Sequence, residues 1–483
     1  MTFVAQWPAL DRRSGDLEGQ VYRVMRDRIL LGQMPAGQRV PSTRALAISL
    51  GVARSTVVNA YDRLKEEGYL QSTTGAATRV AAFSTPLLQG QAAAPLPSSP
   101  QITEFAKGGL FEPGVPDVSA FPHAAWARCL GARGRSLRVH DLGYGAHGGL
   151  PELRGAILDH ISTTRGVIAR PEQVLIVPST GAAISLLASV LLRADHPNGG
   201  IAWIEDPGYA SAQALLRMAG ATLVPVPCDE EGIDITRAAG PPPRLIYVTP
   251  SHQYPTGVTM SLSRRLALLE FARATGAIVV EDDYDSEFQY ASRPIAALQG
   301  IDRGEVVAYL GTFSKTLAPG LRVAYAVVPS RLVATVETAQ RLRGAVVPVH
   351  IQAALADFIG EGRFRAHLRH MNAVYAERMT AVVRALNRHC GAWLDVGEGD
   401  GGQQLASWFR DIAVDDIATM RSINPHGFAL RAMSSLYLGP SRPGLLFGIA
   451  RMEVAAADAA AAKIAKLLRY RRLLPEKGSW SVL

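Results

Sequence analysis

The sequence predicts an α/β protein in two parts, a small helical head and a long body built on a mostly parallel sheet. The chain has 483 residues, too many for one ordinary domain. Residues 83–103 carry no charge and are rich in proline, alanine, serine and glutamine, which is typical of a flexible linker. Beyond them, short apolar runs alternate with helical stretches. We therefore expect a head at residues 1–82 and a body at residues 104–483.

The sheet of the body is predicted from nearly continuous apolar runs that lie between amphipathic stretches. Such runs are typical of parallel strands covered by helices on both faces. After about residue 330 the pattern is mostly helical, and residues 390–470 mix short strands with helices, which predicts a small C-terminal α+β lobe. The predicted strands are 174–178, 201–206, 222–227, 244–250, 277–283, 306–313 and 322–329.

About half of the excess positive charge lies in the head. The whole chain has a formal net charge of +8, and residues 1–80 carry 11 Lys and Arg against 7 Asp and Glu. A basic small domain is consistent with nucleic acid as a partner, although a surplus that only aids solubility fits the charge equally well.

The remaining composition predicts a cytoplasmic protein. The three cysteines, Cys129, Cys228 and Cys390, are far apart and form no CxxC pair, so neither a disulfide framework nor a zinc site is expected. The first residues lack the pattern of a signal peptide. No apolar run reaches the roughly 18 residues that a membrane span needs, so we expect no membrane segment and no metal.

The head has the order helix, turn, helix, hairpin. Residues 17–31 form an apolar face at four-residue spacing, and a second helix follows Ser42 as its N-cap and ends at Gly51. A third helix is predicted at about 55–67. Residues 69–80 then predict a two-stranded wing that turns at Gly75. This order is that of a winged helix-turn-helix.

In that fold the second helix of the motif presents its N-terminal residues to the major groove, here the run 54-RSTVVN-59. Arginine, hydroxyl and amide groups at this end suit base edges and phosphates. The alternative is a small helical bundle with a solvated polar surface. The predicted DNA-binding residues are Arg44, Arg54, Ser55, Thr56 and Asn59, with Arg39 nearby.

The run 37-GQRVPSTRALAISLGVARSTVVNAYDRLKEEGYL-70 closely resembles the gntR-type winged-helix signature, and the match covers the head. The resemblance implies binding to double-stranded DNA. The wing departs from the family, because Ser72-Thr73-Thr74 stands where a basic residue is common. Arg79 is a possible substitute.

In the body, Lys315 follows the predicted strand 306–310, at the edge where α/β sheets bind ligands. Partial burial there lowers the pKa of an amine and makes it nucleophilic. The alternative is a surface lysine in a Gly/Ser turn. Nearby groups suited to phosphate are Thr312, Ser314 and Arg322.

Three consecutive acids end another strand, in 279-VVEDDYDSEF-288. Buried acids need a cationic partner, which a protonated pyridine nitrogen supplies. We expect Asp282 to bind the protonated nitrogen of a pyridine-ring cofactor. Tyr284, two residues later on the same strand face, is expected to bind the phenolic oxygen of the same ring. A divalent-metal site and a solvated acidic turn are the alternatives.

A phosphate site is predicted in 178-PSTGAAIS-185, where a small-residue turn opens a helix. Its candidates are Thr180, Gly181 and Ala182, and a plain N-cap is the alternative. Tyr209 is the candidate aromatic stacker, with a core tyrosine as its alternative. The turn 249-TPSHQYPTG-257 faces the same sheet edge. Lysine, acid, phenol, aromatic ring and phosphate site together meet the needs of pyridoxal 5′-phosphate (PLP).

These motifs resemble fold-type I, class I/II aminotransferases over most of the body. The runs SHQYPTG, EDDYDSEF and GTFSKTLAPGLR, with 144-YGAHGGLPELR-154 and 114-GVPDVSAFPHAAW-126, resemble the MocR/GabR-like regulators in particular. The resemblance implies a homodimer in which Lys315 carries PLP as the internal aldimine. It also implies that Asp282 meets the ring nitrogen, Tyr284 the phenolic oxygen, and Thr312 and Arg322 the phosphate, while Tyr144 reaches in from the second subunit.

The sequence departs from relatives at a few positions. Ala183-Ile184 replaces a usual pair of glutamines, and Ala324 replaces a common glycine. Ser211 stands where some relatives have an arginine for an amino-acid effector. Aminotransferases also use a late arginine for the substrate carboxylate, and the sequence leaves three candidates: Arg431, Arg442 and Arg451.

Three functions are compatible with this plan. The first is a PLP-dependent transcription regulator that binds two operator half-sites and senses PLP, an amine or an amino acid. The second is a working aminotransferase with an accessory DNA-binding head. The third is a DNA-binding protein whose body serves only for dimerisation, and an intact Lys315 with its acid argues against it. We favour the regulator.

Overall fold

The computed structural model describes residues 7, 9–72, 77–82, 108–136, 139–143, 148–192, 200–290, 295–302 and 305–472. The chain divides into two compact units, residues 1–103 and 104–483. The predicted linker, the wing turn at Gly75 and Tyr144 lie outside the described residues.

The head contains three helices and a short hairpin: α1 (Leu17–Leu30), α2 (Thr43–Leu50), α3 (Arg54–Glu66), β1 (Leu70–Gln71) and β2 (Arg79–Val80). The Ser42 side chain accepts the Ala45 N–H, and Gly51 ends α2 in the left-handed conformation at φ 63°, as predicted. β1 and β2 pair antiparallel, with Leu70 opposite Val80. The winged helix-turn-helix prediction is confirmed.

The core of the head is formed by the apolar faces of its three helices. Each helix places apolar side chains at three- or four-residue spacing, so one face of each is buried. The predicted inward residues of α1 and α3 are all buried: Val21, Met25, Ile29, Val57, Tyr61 and Leu64.

The first part of the body supplies two helices and the main sheet. The helices are α4 (His123–Ser136) and α5 (Pro151–Arg165). There follow β3 (Val174–Val177), α6 (Thr180–Leu191), β4 (Ile201–Asp206), α7 (Ala210–Met218), β5 (Thr222–Asp229), β6 (Gly232–Ile233), β7 (Leu245–Val248), α8 (Leu262–Thr275), β8 (Ile278–Asp283), α9 (Leu298–Ile301), β9 (Val307–Thr312) and β10 (Ala324–Val327).

The eight strands form one sheet in the order β3-β10-β9-β8-β7-β4-β5-β6. The central strands β9, β8, β7, β4 and β5 run parallel, whereas β10 pairs antiparallel with both β9 and β3. Separate apolar clusters cover the two faces, one including α6 and α7 and the other α8 and α9. The prediction of a mostly parallel sheet between helices is confirmed.

The C-terminal part is mainly helical and ends in a small lobe, as predicted. It contains α10 (Val333–Arg343), α11 (Val349–Gly360), α12 (Arg363–Cys390), β11 (Leu394–Val396), β12 (Gln404–Phe409), α13 (Asp416–Ile423), β13 (Arg431–Ala432), β14 (Gly444–Gly448) and α14 (Val454–Arg472). The four strands form an antiparallel sheet in the order β11-β12-β14-β13, and α14 packs along α12.

Within the described residues, no helix has the length and apolar character to cross a bilayer. In the same part of the chain, no group of three His, Cys, Asp or Glu side chains is arranged to hold a metal ion.

Candidate functional site

A cavity of 480 Å³ opens at the carboxyl ends of the parallel strands β7, β8 and β9. Parallel strands end at one edge of a sheet, so residues far apart in sequence meet there. The predicted site residues Lys315, Asp282, Tyr284, Tyr209, Thr180, Gly181, Thr312 and Arg322 all line this cavity.

Lys315 lies three residues beyond β9, and its Nζ donates to the carbonyl oxygen of Gly114. Gly114 begins the run 114–126 that carries part of the family resemblance, and it lines the same cavity. Burial lowers the pKa of Lys315, against the opposing attraction of Asp285 and Asp282. A lowered pKa increases the fraction of neutral amine, which is the nucleophilic form.

Asp282 is the buried acid of the site. Its Oδ2 accepts a hydrogen bond from the Tyr247 hydroxyl at 2.5 Å, while its Oδ1 has no partner among the described residues. Burial raises the pKa of Asp282 to about 7, with the Tyr247 hydrogen bond acting in the opposite direction. A buried carboxylate oxygen without a partner is suited to a protonated ring nitrogen, so this residue fits PLP.

The neighbouring carboxylate, Asp283, is neutralised within the protein. Arg165 Nε donates to its Oδ2 at 2.8 Å, and the Tyr309 hydroxyl donates to the same oxygen at 2.7 Å. Although burial favours the neutral acid, Arg165 lowers the pKa of Asp283. Adjacent acids on β8 therefore differ, since one has a cationic partner in the protein and the other faces the cavity.

Three tyrosines line one part of the cavity. The ring of Tyr254 meets those of Tyr209 and Tyr284 edge-on, with centroid distances of 5.4 and 6.2 Å. Tyr284 follows the end of β8 at Asp283, so it lies on a turn and not on the strand face that the sequence predicted. It still reaches the same cavity as Asp282.

The phosphate candidates lie at the start of α6 and after β9. Ser179 is the N-cap of α6 and accepts the Ala182 N–H at 3.1 Å. The Ala182 N–H therefore has a partner inside the protein, and Ala182 does not line the cavity as Thr180 and Gly181 do. Arg322 adds a guanidinium from a backbone at φ 53°.

The structure distinguishes the three late arginines. Arg431, on β13, lines the cavity, and its Nη1 donates to the Tyr254 hydroxyl at 2.9 Å. Arg442 instead stacks over the Trp408 ring at 4.9 Å, and Arg451 pairs with Glu112 at 3.2 Å. Arg431 is thus the one of the three that lines the cavity.

Sequence reasoning did not single out Tyr247 or Gln404, and it indicated Tyr254 only through its turn; all three line the cavity. Tyr247 stands out only as a hydroxyl within an apolar strand, and Tyr254 lies in the turn 249–257 that was expected to face this edge. Gln404 begins β12 of the lobe, and no local pattern connects it to the site. Ser211 lines the cavity, whereas the departures Ala183, Ile184 and Ala324 are buried in the core beside the sheet.

In the head, the predicted DNA-binding residues lie in the first turn of α2 and the first two turns of α3. Arg44, Arg54, Ser55 and Asn59 are exposed, and Thr56 is half-buried. The Asn59 amide donates to Glu18 Oε2 at 3.1 Å. Arg39 is exposed and pairs with Arg79 through the backbone, while the Arg79 guanidinium donates to the Gly37 carbonyl at 2.8 Å.

The two adjacent acids of β8 predict opposite effects on apoprotein stability. Because the folded-state pKa of Asp282 is raised, its stabilising contribution is complete below the unfolded pKa near 4 and is lost as the pH rises through about 7. Asp282→Asn should therefore stabilise the apoprotein at pH 8 by on the order of 2–4 kcal/mol relative to wild type, and not at about pH 4. Urea titrations at both pH values measure this difference.

Asp283→Asn is the matched control. It leaves the buried Arg165 without its carboxylate and should destabilise the body by roughly 3–5 kcal/mol. Equal destabilisation by the two variants at pH 8 would contradict the assignment of Asp282.

Comparison with known proteins supports the assignments of both the head and the body. The family "Bacterial regulatory proteins, gntR family" matches residues 17–80, and "Aminotransferase class I and II" matches residues 135–456. A Rhizobium meliloti protein named "Probable rhizopine catabolism regulatory protein MocR" is 39% identical over 448 residues, which is 90% of each chain. The pyridoxine biosynthesis transcriptional regulator PdxR of Corynebacterium glutamicum is 31% identical, over 75% of this chain and 77% of that protein.

Among solved structures, the α-aminoadipate aminotransferase LysN from Thermus thermophilus, complexed with N-(5′-phosphopyridoxyl)-L-leucine, matches with a TM-score of 0.69. It is 26% identical, and the match covers 78% of this chain and 96% of that one. The aminotransferase fold and the donor set of the cavity support PLP as the cofactor. The chain therefore belongs to the MocR-like regulators of the gntR family, in which a gntR-type winged helix-turn-helix precedes an aminotransferase class I and II domain.

Proposed function

We propose that this protein is a PLP-dependent transcription regulator whose head binds an operator and whose body holds PLP and senses an amino acid or amine. The observation that carries the proposal is the partnerless Oδ1 of Asp282, among the described residues, in a cavity that also contains Lys315. A buried acid in that state needs a cationic ligand. The presence of this site in one chain with a gntR-type head supports a function that links the cofactor to DNA binding.

The cavity residues divide the work of holding PLP. When bound, PLP supplies an aldehyde and an electron-withdrawing ring. Lys315 would provide a partly deprotonated amine for the aldehyde, and Asp282 would hold a proton at the ring nitrogen. Tyr284 would donate to the phenolic oxygen, and Tyr209 would pack against the ring. Thr180, Gly181, Thr312 and Arg322 line the same cavity and would hold the phosphate.

The effector proposal rests on Arg431. A guanidinium at the cavity holds a carboxylate through two parallel hydrogen bonds, which favours an amino acid over a simple amine. Ser211 adds a hydroxyl where a second arginine would restrict the choice of effector. An effector alters DNA binding only through different affinities for two states of the protein.

We further propose a homodimer in which Tyr144 completes the site of the second subunit and the two heads bind two half-sites. Operator affinity should decrease steeply with salt, because basic residues displace counterions from phosphates.

A catalytic aminotransferase is the second candidate function, and the presence of Arg431 in the cavity with Lys315 favours it. Release of a keto acid over many turnovers would support that candidate.

Lys315→Ala should abolish covalent attachment of PLP. Wild-type protein is incubated with PLP, reduced with borohydride, digested and analysed by mass spectrometry. We expect a pyridoxyl adduct on Lys315 in the wild type and none on the cavity peptides of the variant. Lys65→Ala, in the head, is the control and should keep the adduct. Wild-type protein without an adduct would contradict the proposal.

Arg54→Ala should weaken operator binding by roughly 1–3 kcal/mol, because Arg54 is exposed at the N-terminus of α3. The operator is first selected from a random duplex library, and affinity is measured by fluorescence anisotropy. Arg63→Ala is the matched control on the last turn of the same helix, where Arg63 stacks on Tyr22 at 3.9 Å. If both variants bind as the wild type does, α3 is not the recognition helix.

Arg431→Gln should weaken the spectral response of the PLP-loaded protein to amino acids by about 10-fold or more, since a charge-assisted hydrogen bond is lost. The response to alkylamines of similar length should change little. Arg442→Gln is the control outside the cavity. An equal loss for amino acids and alkylamines would exclude Arg431 as the carboxylate site.

A further inference from the structure

His252 and Asp285 form a buried imidazole–carboxylate pair that is not among the residues assigned to PLP. Asp285 Oδ1 accepts from His252 Nδ1 at 2.8 Å, and the two residues are 2% and 6% exposed. Burial disfavours charge on His252, yet the adjacent carboxylate raises its pKa above the usual value. His252 comes from the turn after β7 and Asp285 from the turn after β8, so the pair joins two neighbouring strand ends.

The second oxygen of Asp285 reaches the C-terminal lobe. Asp285 Oδ2 accepts the backbone N–H of Gln403 at 3.1 Å. The preceding glycines permit this approach, because a Cβ at Gly401 would lie 2.5 Å from His252 Nε2 and one at Gly402 would lie 2.7 Å from Asp285 Oδ2. Gly402 also has φ +71°, which side chains rarely adopt. The two glycines therefore allow the turn 401–403 to pack directly against His252 and Asp285.

The same turn holds Lys315. The side-chain amide of Gln403 donates to the backbone carbonyl of Lys315 at 2.9 Å. The turn is itself fixed, because Gly402 N–H donates to the Phe288 carbonyl at 2.8 Å and the Tyr290 hydroxyl donates to the Gly402 carbonyl at 2.6 Å. His252 is thus linked to Lys315 by three hydrogen bonds in series. They pass through the Asp285 carboxylate and then through Gln403, whose backbone N–H bonds Asp285 and whose side chain bonds Lys315.

We propose that Asp285, oriented by His252, is a positioning residue for Lys315. It fixes the turn 401–403, whose Gln403 holds the lysine backbone, and its negative charge stabilises the ammonium form of the lysine. The proposal rests on Lys315 as the cofactor lysine.

The other charged groups that act on Lys315 are Asp282, which also favours the ammonium form, and Arg431, which opposes it. Those that act on His252 are Asp285, Asp283 and Arg165.

The test uses the full-length apoprotein, so that it does not depend on PLP binding. Lys315 is acetylated with trace acetic anhydride across a pH series, and mass spectrometry of its peptide gives the pH midpoint of its reactivity. Asp285→Asn removes the negative charge, so the ammonium form should be lost at lower pH. We expect the midpoint to shift down by roughly one pH unit.

Two His252 variants separate positioning from simple packing. Asn offers a donor near the position of the imidazole Nδ1, whereas Leu fills the space without one. His252→Asn should keep the wild-type midpoint, and His252→Leu should shift it in the direction of Asp285→Asn. Asp357→Asn is the matched control, since it removes a carboxylate paired with Arg133 outside the cavity.

The outcomes are distinct. An unchanged midpoint in folded Asp285→Asn overturns the proposal. If that variant does not fold, equal midpoints for the His252→Asn and His252→Leu proteins overturn it. A shift in Asp357→Asn as large as that in Asp285→Asn also overturns it, because the effect would then be general. Loss of the pyridoxyl adduct in wild-type protein would instead contradict the proposed function and leave these midpoints interpretable.

Discussion

The electrostatic state of Asp282 is the constraint on which the site depends. Removing a carboxylate from water is costly unless a cation or several hydrogen bonds replace the water. The protein supplies one hydrogen bond, from Tyr247, and leaves the other oxygen without a partner among the described residues. One residue further along, it supplies a buried arginine to Asp283. The same strand end therefore contains one acid that is paired with a buried arginine and one whose hydrogen bond comes from a neutral hydroxyl, and the second is where a cationic ring is needed.

Sheet topology explains why chemically different groups converge on that acid. β7, β8 and β9 are adjacent and parallel, so Tyr247, Asp282 and Thr312 reach one edge although they are about 30 or more residues apart. The antiparallel strand β10 begins at the same edge and brings Arg322 with it. Segments without regular structure contribute the rest, including the Gly114 carbonyl that accepts from Lys315. The sheet fixes Asp282, Tyr247 and Thr312, whereas loops and the lobe complete the pocket.

The residues that sequence reasoning predicted well are those with a local signal. Ser42 and Gly51 mark helix ends, and the run before Lys315 marks a strand end, so their positions followed from short-range rules. The residues that it missed, or could not choose among several candidates, depend on non-local contacts. Gln404 and Arg431 reach the cavity only because the lobe folds back on the sheet, and nothing near Arg431 distinguishes it from Arg442 or Arg451. Ala182 could not be decided from sequence because a cap and a phosphate site use the same N–H groups, and in the structure its N–H is bonded to Ser179.

Under the proposed function, the C-terminal lobe is the part of the body that would relate the cofactor to an effector. Arg431 lies on β13, and Gln403, which holds the Lys315 carbonyl, immediately precedes β12 of the same four-stranded sheet. A carboxylate bound by Arg431 would contact this lobe directly, and a cofactor on Lys315 would act on it through the Gln403 hydrogen bond, so each ligand would change the free energy of its placement against the large sheet. A ligand shifts an equilibrium only by its differential affinity for the two states. An amine without a carboxylate would lack the Arg431 contact, so its effect on the lobe would be smaller than that of an amino acid.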